Sequence, residues 1–193
     1  MASASTPNPP TLENGLPEIH RYITTTEASG KAVFATAIPP PSIWTSIGAA
    51  TKFFLGYTTR NFPVQLFRSS TASHQPPDIA SYATDLASPP GVSISNGTVF
   101  RYVDMAPGSL SPMHVTKSLD YGIVLEGEVE LILDGGERKI LRRGDSCVQR
   151  GTMHAWRNPS QSGKWARMVF VLVGAEGEGL TEDFRVQEDP KSE

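Results

Sequence analysis

The stretch SPMHVTKSLDYGIVLEGEVELILDGGE, residues 111–137, decides the fold. Apolar and polar residues alternate from Glu128 to Leu133, which is the pattern of a half-buried strand. Residues 134–137 carry two glycines, and glycine supplies the positive φ that a tight hairpin turn needs. The stretch therefore predicts two strands, DYGIVL and EVELILD, then a hairpin, with His114 just before the first strand.

Outward from this stretch, the chain continues as short strand-like segments about 8–12 residues apart, a spacing typical of an all-β sandwich or barrel. Upstream, RYITTTEASGKAVFATAI predicts two short strands, residues 53–67 predict one or two more, and residues 78–91 predict one or two turns of helix. The predicted organisation is a flexible arm at 1–17, an N-terminal extension at 18–96 packing on the barrel, a barrel at 97–174 and a polar tail at 175–193.

Composition excludes several classes of function. The chain has 193 residues, enough for one sizeable domain, and a net charge of −3, which gives no basic surface for nucleic acid or an anionic membrane. Cys147 is the only cysteine, so no disulfide forms within the chain, and it reads as small core filler. No secretory signal and no long apolar run is present, so we expect a cytoplasmic protein with a small-molecule substrate.

Two histidines follow glycines at informative distances. His114 comes six positions after Gly108, and Gly127 follows it; downstream, His154 and Asn158 follow Gly144. Residues 97–174 resemble the cupin family, small jelly-roll or double-stranded β-helix barrels with motifs G-x5-H-x-H-x3,4-E-x6-G and G-x5-P-x-G-x2-H-x3-N. The resemblance implies an all-β cupin barrel with an N-terminal strand extension.

The match to the two cupin motifs departs at three positions: Thr116 replaces the second histidine, Asp120 the glutamate and Gln149 the proline. In the family these histidines and the acid hold a metal or do acid–base chemistry, so the resemblance makes His114, His154 and Asp120 the candidate catalytic residues. The same three residues are the candidate ligands of a divalent Zn, Fe or Mn ion. The altered ligand set equally allows a site without metal, in which Asp120 orients His114.

Four further residues are candidates for binding substrate: Thr116, Trp156, Arg101 and Gln149. Trp156 lies two positions after His154, so it shares a strand face with that histidine, although core filling is the alternative role. A second group of aromatic residues precedes the barrel, and it fits a roof over the pocket, a dimer interface or ordinary core. Its members are Trp44, Phe53, Phe54, Tyr57 and Phe62.

The resemblance extends to cupins of fungal and bacterial secondary metabolism. It implies a lyase or isomerase, meaning a decarboxylase, dehydratase or cyclase, acting on a small aromatic or polyketide-like carbonyl compound. The alternatives are an Fe(II)-dependent dioxygenase and a non-catalytic module that binds a small ligand. Because cupin barrels commonly pair through their sheets, the resemblance also implies a homodimer.

Overall fold

The computed structural model describes residues 10–66, 75–178 and 180. Within them the chain is mostly strand, with one helix, and the architecture is the all-β jelly roll that the sequence predicts. The strands are β1 Thr24–Thr26, β2 Ala32–Phe34, β3 Thr45–Ile47, β4 Thr51–Thr59, β5 Thr98–Met105, β6 Ser118–Glu126, β7 Glu128–Leu133, β8 Arg138–Arg142, β9 Ser146–Arg150, β10 His154–Arg157 and β11 Ala166–Gly174. The helix is α1 Pro77–Ala87.

The strands form three antiparallel sheets. The largest has the order β3-β4-β5-β11-β6-β9, and a second has the order β10-β7-β8. The hairpin β1-β2 stands apart as a third sheet. Chain order and sheet order differ because β11 returns from the end of the barrel to lie between β5 and β6. This central place explains its nearly continuous apolar sequence, since a strand paired on both sides leaves little of its backbone to solvent.

A single apolar layer lies between the two larger sheets. Its buried members come from both sheets: Met105, Val124, Val129, Leu141, Trp156, Ala166 and Met168. Strand side chains alternate between faces, so inward positions of β6 and β7 meet here, while Tyr121 and Ile123 on the other face of β6 are exposed. The predicted hairpin at residues 134–137 is confirmed, since it joins β7 to β8, which pair antiparallel. Gly127 lies where the chain passes from β6 in one sheet to β7 in the other, and its φ of +76° is a conformation that favours glycine.

The segment before the barrel is well packed. Strand β4 pairs along its whole length with β5, which continues the barrel sheet outward. Helix α1 is eleven residues long, more than the one or two turns predicted, and it begins with a proline, as helices commonly do. Its Ile79 and Tyr82 are buried against the end of the six-stranded sheet, at Leu55, Val99 and Leu172.

The end of the predicted N-terminal arm contacts the barrel. Residues 1–9 lie outside the described part, but residues 10–17 pack on the barrel rather than hang free. Leu16 is buried, Asn14 donates a hydrogen bond to Asp104 at 2.8 Å, and Arg167 donates to the carbonyl of Pro17 at 2.7 Å. Leu16 and the ion pair of Arg167 with Asp104 supply these contacts, which the polar composition of the segment does not indicate. Most of the predicted tail, residues 175–193, lies outside the described residues.

Candidate functional site

An apolar cavity of about 550 Å³ lies against one face of the six-stranded sheet, and β10 of the three-stranded sheet contributes to its wall. This volume is in the range of small-molecule sites, about 300–1,000 Å³. Its walls are mostly aliphatic and aromatic, with Val103 and Met105 from β5, Phe170 and Leu172 from β11, and Trp156 from β10. The polar side chains that reach it are few, and they carry its chemistry: Arg101, Ser109, Ser111, His114, Thr116, Asp120 and His154.

His114 and His154 form a pair on one wall of this cavity. Their backbones exchange hydrogen bonds, His114 N to His154 O at 2.8 Å and His154 N to His114 O at 2.9 Å. This bridge joins the segment before β6 to the start of β10, so the two rings stand side by side, with centroids 4.3 Å apart and planes inclined by 47°. The structure thus brings together the two histidines that the sequence singles out.

Both rings are fixed in the same tautomer. Nδ1 of His114 lies 2.8 Å from the carbonyl oxygen of Pro112, and Nδ1 of His154 lies 2.9 Å from that of Thr152. Because a carbonyl only accepts hydrogen bonds, each Nδ1 carries the proton. Each neutral ring therefore presents a lone pair on Nε2, the nitrogen that acts as base or ligand.

His154 is held in its neutral form. Burial and, to a smaller extent, the neighbouring charge of His114 lower the pKa of His154 to about 4, although the hydrogen bond to the Thr152 carbonyl acts in the other direction. Only 2% of His154 is exposed, whereas His114 is half-buried. At neutral pH the pair therefore consists of a neutral, buried His154 beside a more accessible His114.

Asp120 is held by hydroxyl groups of its own strand and the segment before it. Its Oδ2 accepts a hydrogen bond from Thr116 Oγ1 at 3.0 Å, and its Oδ1 accepts one from Ser118 Oγ. Burial raises the pKa of Asp120, although both hydroxyls and the charge of His114 act in the other direction. Asp120 thus lies near His114, and its two oxygens are bonded to Thr116 and Ser118.

The metal site that the sequence allows is not formed. Among residues 10–66, 75–178 and 180, no three His, Cys, Asp or Glu side chains are grouped so as to bind a metal. The two histidine Nε2 atoms are suitable donors, but the third ligand would be Asp120, whose carboxyl group is held by Thr116 and Ser118 and is not grouped with both histidines. Burial also favours the protonated form of Asp120, and a metal requires the carboxylate. The described donors therefore do not fit a resident divalent ion.

The other predicted binding residues divide into three that line the cavity and one that does not. Arg101, Thr116 and Trp156 line it, and the Trp156 ring meets His154 edge to face at 5.7 Å. Gln149 is a correction, since it is buried outside the cavity wall. Its Nε2 donates to Oγ1 of Thr152 at 2.5 Å, and this contact steadies the residue whose carbonyl holds His154.

The aromatic residues before the barrel take several roles. Phe53 lines the cavity, Phe54 is buried beside Trp44, Tyr57 packs on Tyr82, and Phe62 is exposed. Sequence analysis missed the hairpin between β3 and β4, where Ile47, Gly48, Ala49, Ala50 and Thr51 roof the cavity. Its side chains are mostly small and follow no alternation, so only the preference of glycine for a turn marked the place.

The comparisons agree with the architecture. Residues 101–172 match the family described as "Cupin domain". "Phomopsin biosynthesis cluster protein C'" of Diaporthe leptostromiformis is 48% identical over 156 residues, covering 81% of this chain and 78% of that protein. "Cupin-domain-containing oxidoreductase virC" of Hypocrea virens is 38% identical over 168 residues, covering 82% and 77%.

One solved structure gives the scale of the likeness to known barrels. Oxalate oxidase in complex with the substrate analogue glycolate is 30% identical, with a TM-score of 0.35, over 39% of this chain and 41% of that chain. In the described part of the present chain, no helix has the length and apolar character that crossing a membrane requires.

Proposed function

The chain belongs to the cupin family, and from this premise we propose that it is an enzyme of lyase or isomerase type that moves protons next to a carbonyl group. The single observation that carries the proposal is the pair of histidines in the wall of an apolar cavity, with His154 held neutral. We place the reaction in secondary metabolism, because relatives covering most of this chain are named after biosynthesis clusters.

In the proposed reaction, Nε2 of His154 removes a proton from the carbon next to the carbonyl. Its Nδ1–H stays on the Thr152 carbonyl, so the imidazole keeps its orientation as it accepts the proton. The electron pair of the broken C–H bond moves onto the carbonyl oxygen and gives an enolate. The imidazolium of His154 then returns this proton to the oxygen or to another carbon, and His114, 4.3 Å away between ring centroids, lines the same wall.

The other side chains of the cavity limit which groups contact the enolate and which substrates fit. The Thr116 hydroxyl donates to Asp120, so it does not serve as a donor to the enolate. Apolar walls from β5 and β11 exclude water and match a flat aromatic or polyketide-like substrate. Loss of a β-hydroxyl group as water from the enolate would make the same site a dehydratase. In a decarboxylase, loss of CO2 from a β-keto acid would form the enolate in place of proton removal, and proton addition to carbon would complete the reaction.

The proposal is tested with a probe that needs only proton transfer. 2-Tetralone is a flat apolar ketone whose α-protons exchange with D2O, and proton NMR follows their loss. We expect wild-type protein to accelerate exchange and the double variant H114Q/H154Q to lose this by about 100-fold or more, the usual contribution of acid–base groups. The exposed His20→Gln variant is the matched control, and circular dichroism checks folding. Full acceleration by the folded double variant would refute the proposal.

A second candidate is an oxidoreductase, and the names of four relatives favour it. It is distinguished by oxygen uptake during turnover, which proton transfer does not require. The third possibility, a module that binds a ligand without changing it, predicts that a bound compound is recovered intact after long incubation.

A further inference from the structure

Arg101 is a buried cation in the wall of the cavity. It follows the inward alternation of β5, between Val99 and Val103, at a position where the neighbouring rows of the sheet are apolar. Only 6% of the residue is exposed. Burial lowers its pKa to about 10, so it remains charged at neutral pH and this burial disfavours the folded state.

No acid in the described part of the chain pairs with this cation. One Nη2–H group donates to the carbonyl of Gly91 at 3.0 Å, and the guanidinium carbon lies 4.8 Å from the centre of the Phe53 ring. A guanidinium has five N–H groups, so most of its hydrogen-bonding capacity is not used by these contacts. A buried arginine retained without an acid needs another anion to offset its charge.

Another buried arginine of the same fold shows the contrast. Arg167, 1% exposed, donates Nε and Nη2 to the two oxygens of Asp104 at 2.6 and 2.8 Å, and its Nη1 to the Pro17 carbonyl at 2.7 Å. Arg21, 8% exposed and outside the cavity wall, has no acid either, but it donates to both the Tyr82 hydroxyl and the Pro39 carbonyl and lies over two aromatic rings. Arg101 is 6% exposed, has one carbonyl acceptor and one ring, and faces the cavity.

We propose that Arg101 binds the carboxylate of the substrate, which is a flat organic acid with an apolar body. A planar guanidinium matches the two oxygens of a carboxylate, and Phe53 orients it by stacking. Arg101 is on β5 and Asp120 on β6, with β11 between them and an offset of two residues along the strands, so their backbones are about 12 Å apart. An acid anchored at Arg101 therefore reaches the histidine wall with its other end. This inference rests on the proposed function for the chemistry at that end.

The test compares an acid with its neutral analogue. Isothermal titration calorimetry measures binding of 2-naphthoate and of 2-naphthamide, which has nearly the same shape but no charge. Wild-type protein is expected to bind the acid at least tenfold more tightly than the amide. Arg101→Met should remove this preference, so that the acid and the amide bind with equal affinity. Arg143→Met, which removes an exposed cation outside the cavity, should retain the preference.

Three results would overturn the inference: equal affinities in the wild type, a preference that survives Arg101→Met, or no binding of either compound. If Arg101→Met does not fold, the wild type still decides, because 2-naphthoate must raise Tm by more than 2-naphthamide at equal concentration. Acid-selective binding without exchange of 2-tetralone protons would refute only the proposed function. Proton exchange without acid selectivity would refute only the inference about Arg101.

Discussion

The neutral state of His154 makes the stability of the protein depend on pH in a defined window. In the unfolded chain the imidazole has its ordinary pKa of about 6.5, whereas in the folded protein its pKa is about 4. Between these values the unfolded state binds more protons, so the free energy of unfolding increases with pH. The stability present above pH 6.5 is lost as pH falls toward 4, and the full difference corresponds to about 3 kcal/mol.

Between pH 7 and pH 5, linkage gives a loss of about 2 kcal/mol from this one side chain. We expect His154→Gln to lose about 2 kcal/mol less than the wild type over that interval, whatever its stability at pH 7. Urea unfolding followed by tryptophan fluorescence at both pH values measures the difference. The exposed His20→Gln variant should follow the wild type. Equal pH dependence of the wild type and His154→Gln would refute the assignment of a buried, neutral imidazole.

Three more predictions concern stability and assembly. Arg101→Met should raise the free energy of unfolding by about 1 kcal/mol, because relief of about 3 kcal/mol of burial cost exceeds the lost ring contact and hydrogen bond, about 1 kcal/mol each; thermal unfolding will show it. Asp104→Ala leaves Arg167 buried without its acid and should cost about 3–5 kcal/mol, measured by urea unfolding. We also propose that the protein forms a homodimer through the exposed apolar pair Tyr121 and Val148, which are cross-strand neighbours on β6 and β9 of the six-stranded sheet. Val148→Lys should then convert a wild-type dimer to monomers in analytical ultracentrifugation. A sedimentation coefficient equal to that of the wild type would contradict this interface.

Much of the barrel follows from the sequence because its strands alternate strictly. The β7–β8 hairpin is an example, since the alternation within Glu128–Leu133 and the glycines of the turn at 134–137 favour one register of the pair. The pairing of His114 with His154 was accessible only through the spacing of the two motifs. No local pattern indicates that residues forty positions apart exchange backbone hydrogen bonds.

The parts of the site that sequence analysis missed depend on contacts between distant or featureless segments. Thr116 and Ser118, whose hydroxyl groups donate to the Asp120 carboxyl group, are close to it in the chain, and Ser118 shares its strand face. These two hydrogen bonds could therefore have been predicted from the sequence. The roof at residues 47–51 was not, because it consists mainly of small residues. The position of the Gln149 side chain outside the cavity could not be predicted either, because the sequence alone does not show whether a single polar residue on a strand faces the cavity.

The central claim is that His154 itself moves the proton and that the described donors need no metal for this step. The most direct measurement is α-proton exchange of 2-tetralone in D2O by protein stripped of metal with a chelator, compared for the wild type and His154→Gln. The account predicts that stripping leaves the wild-type rate unchanged and that His154→Gln lowers it by about 100-fold or more. A stripped wild type that loses activity and regains it with Fe(II), Mn(II) or Zn(II), or a fully active His154→Gln, would contradict the account.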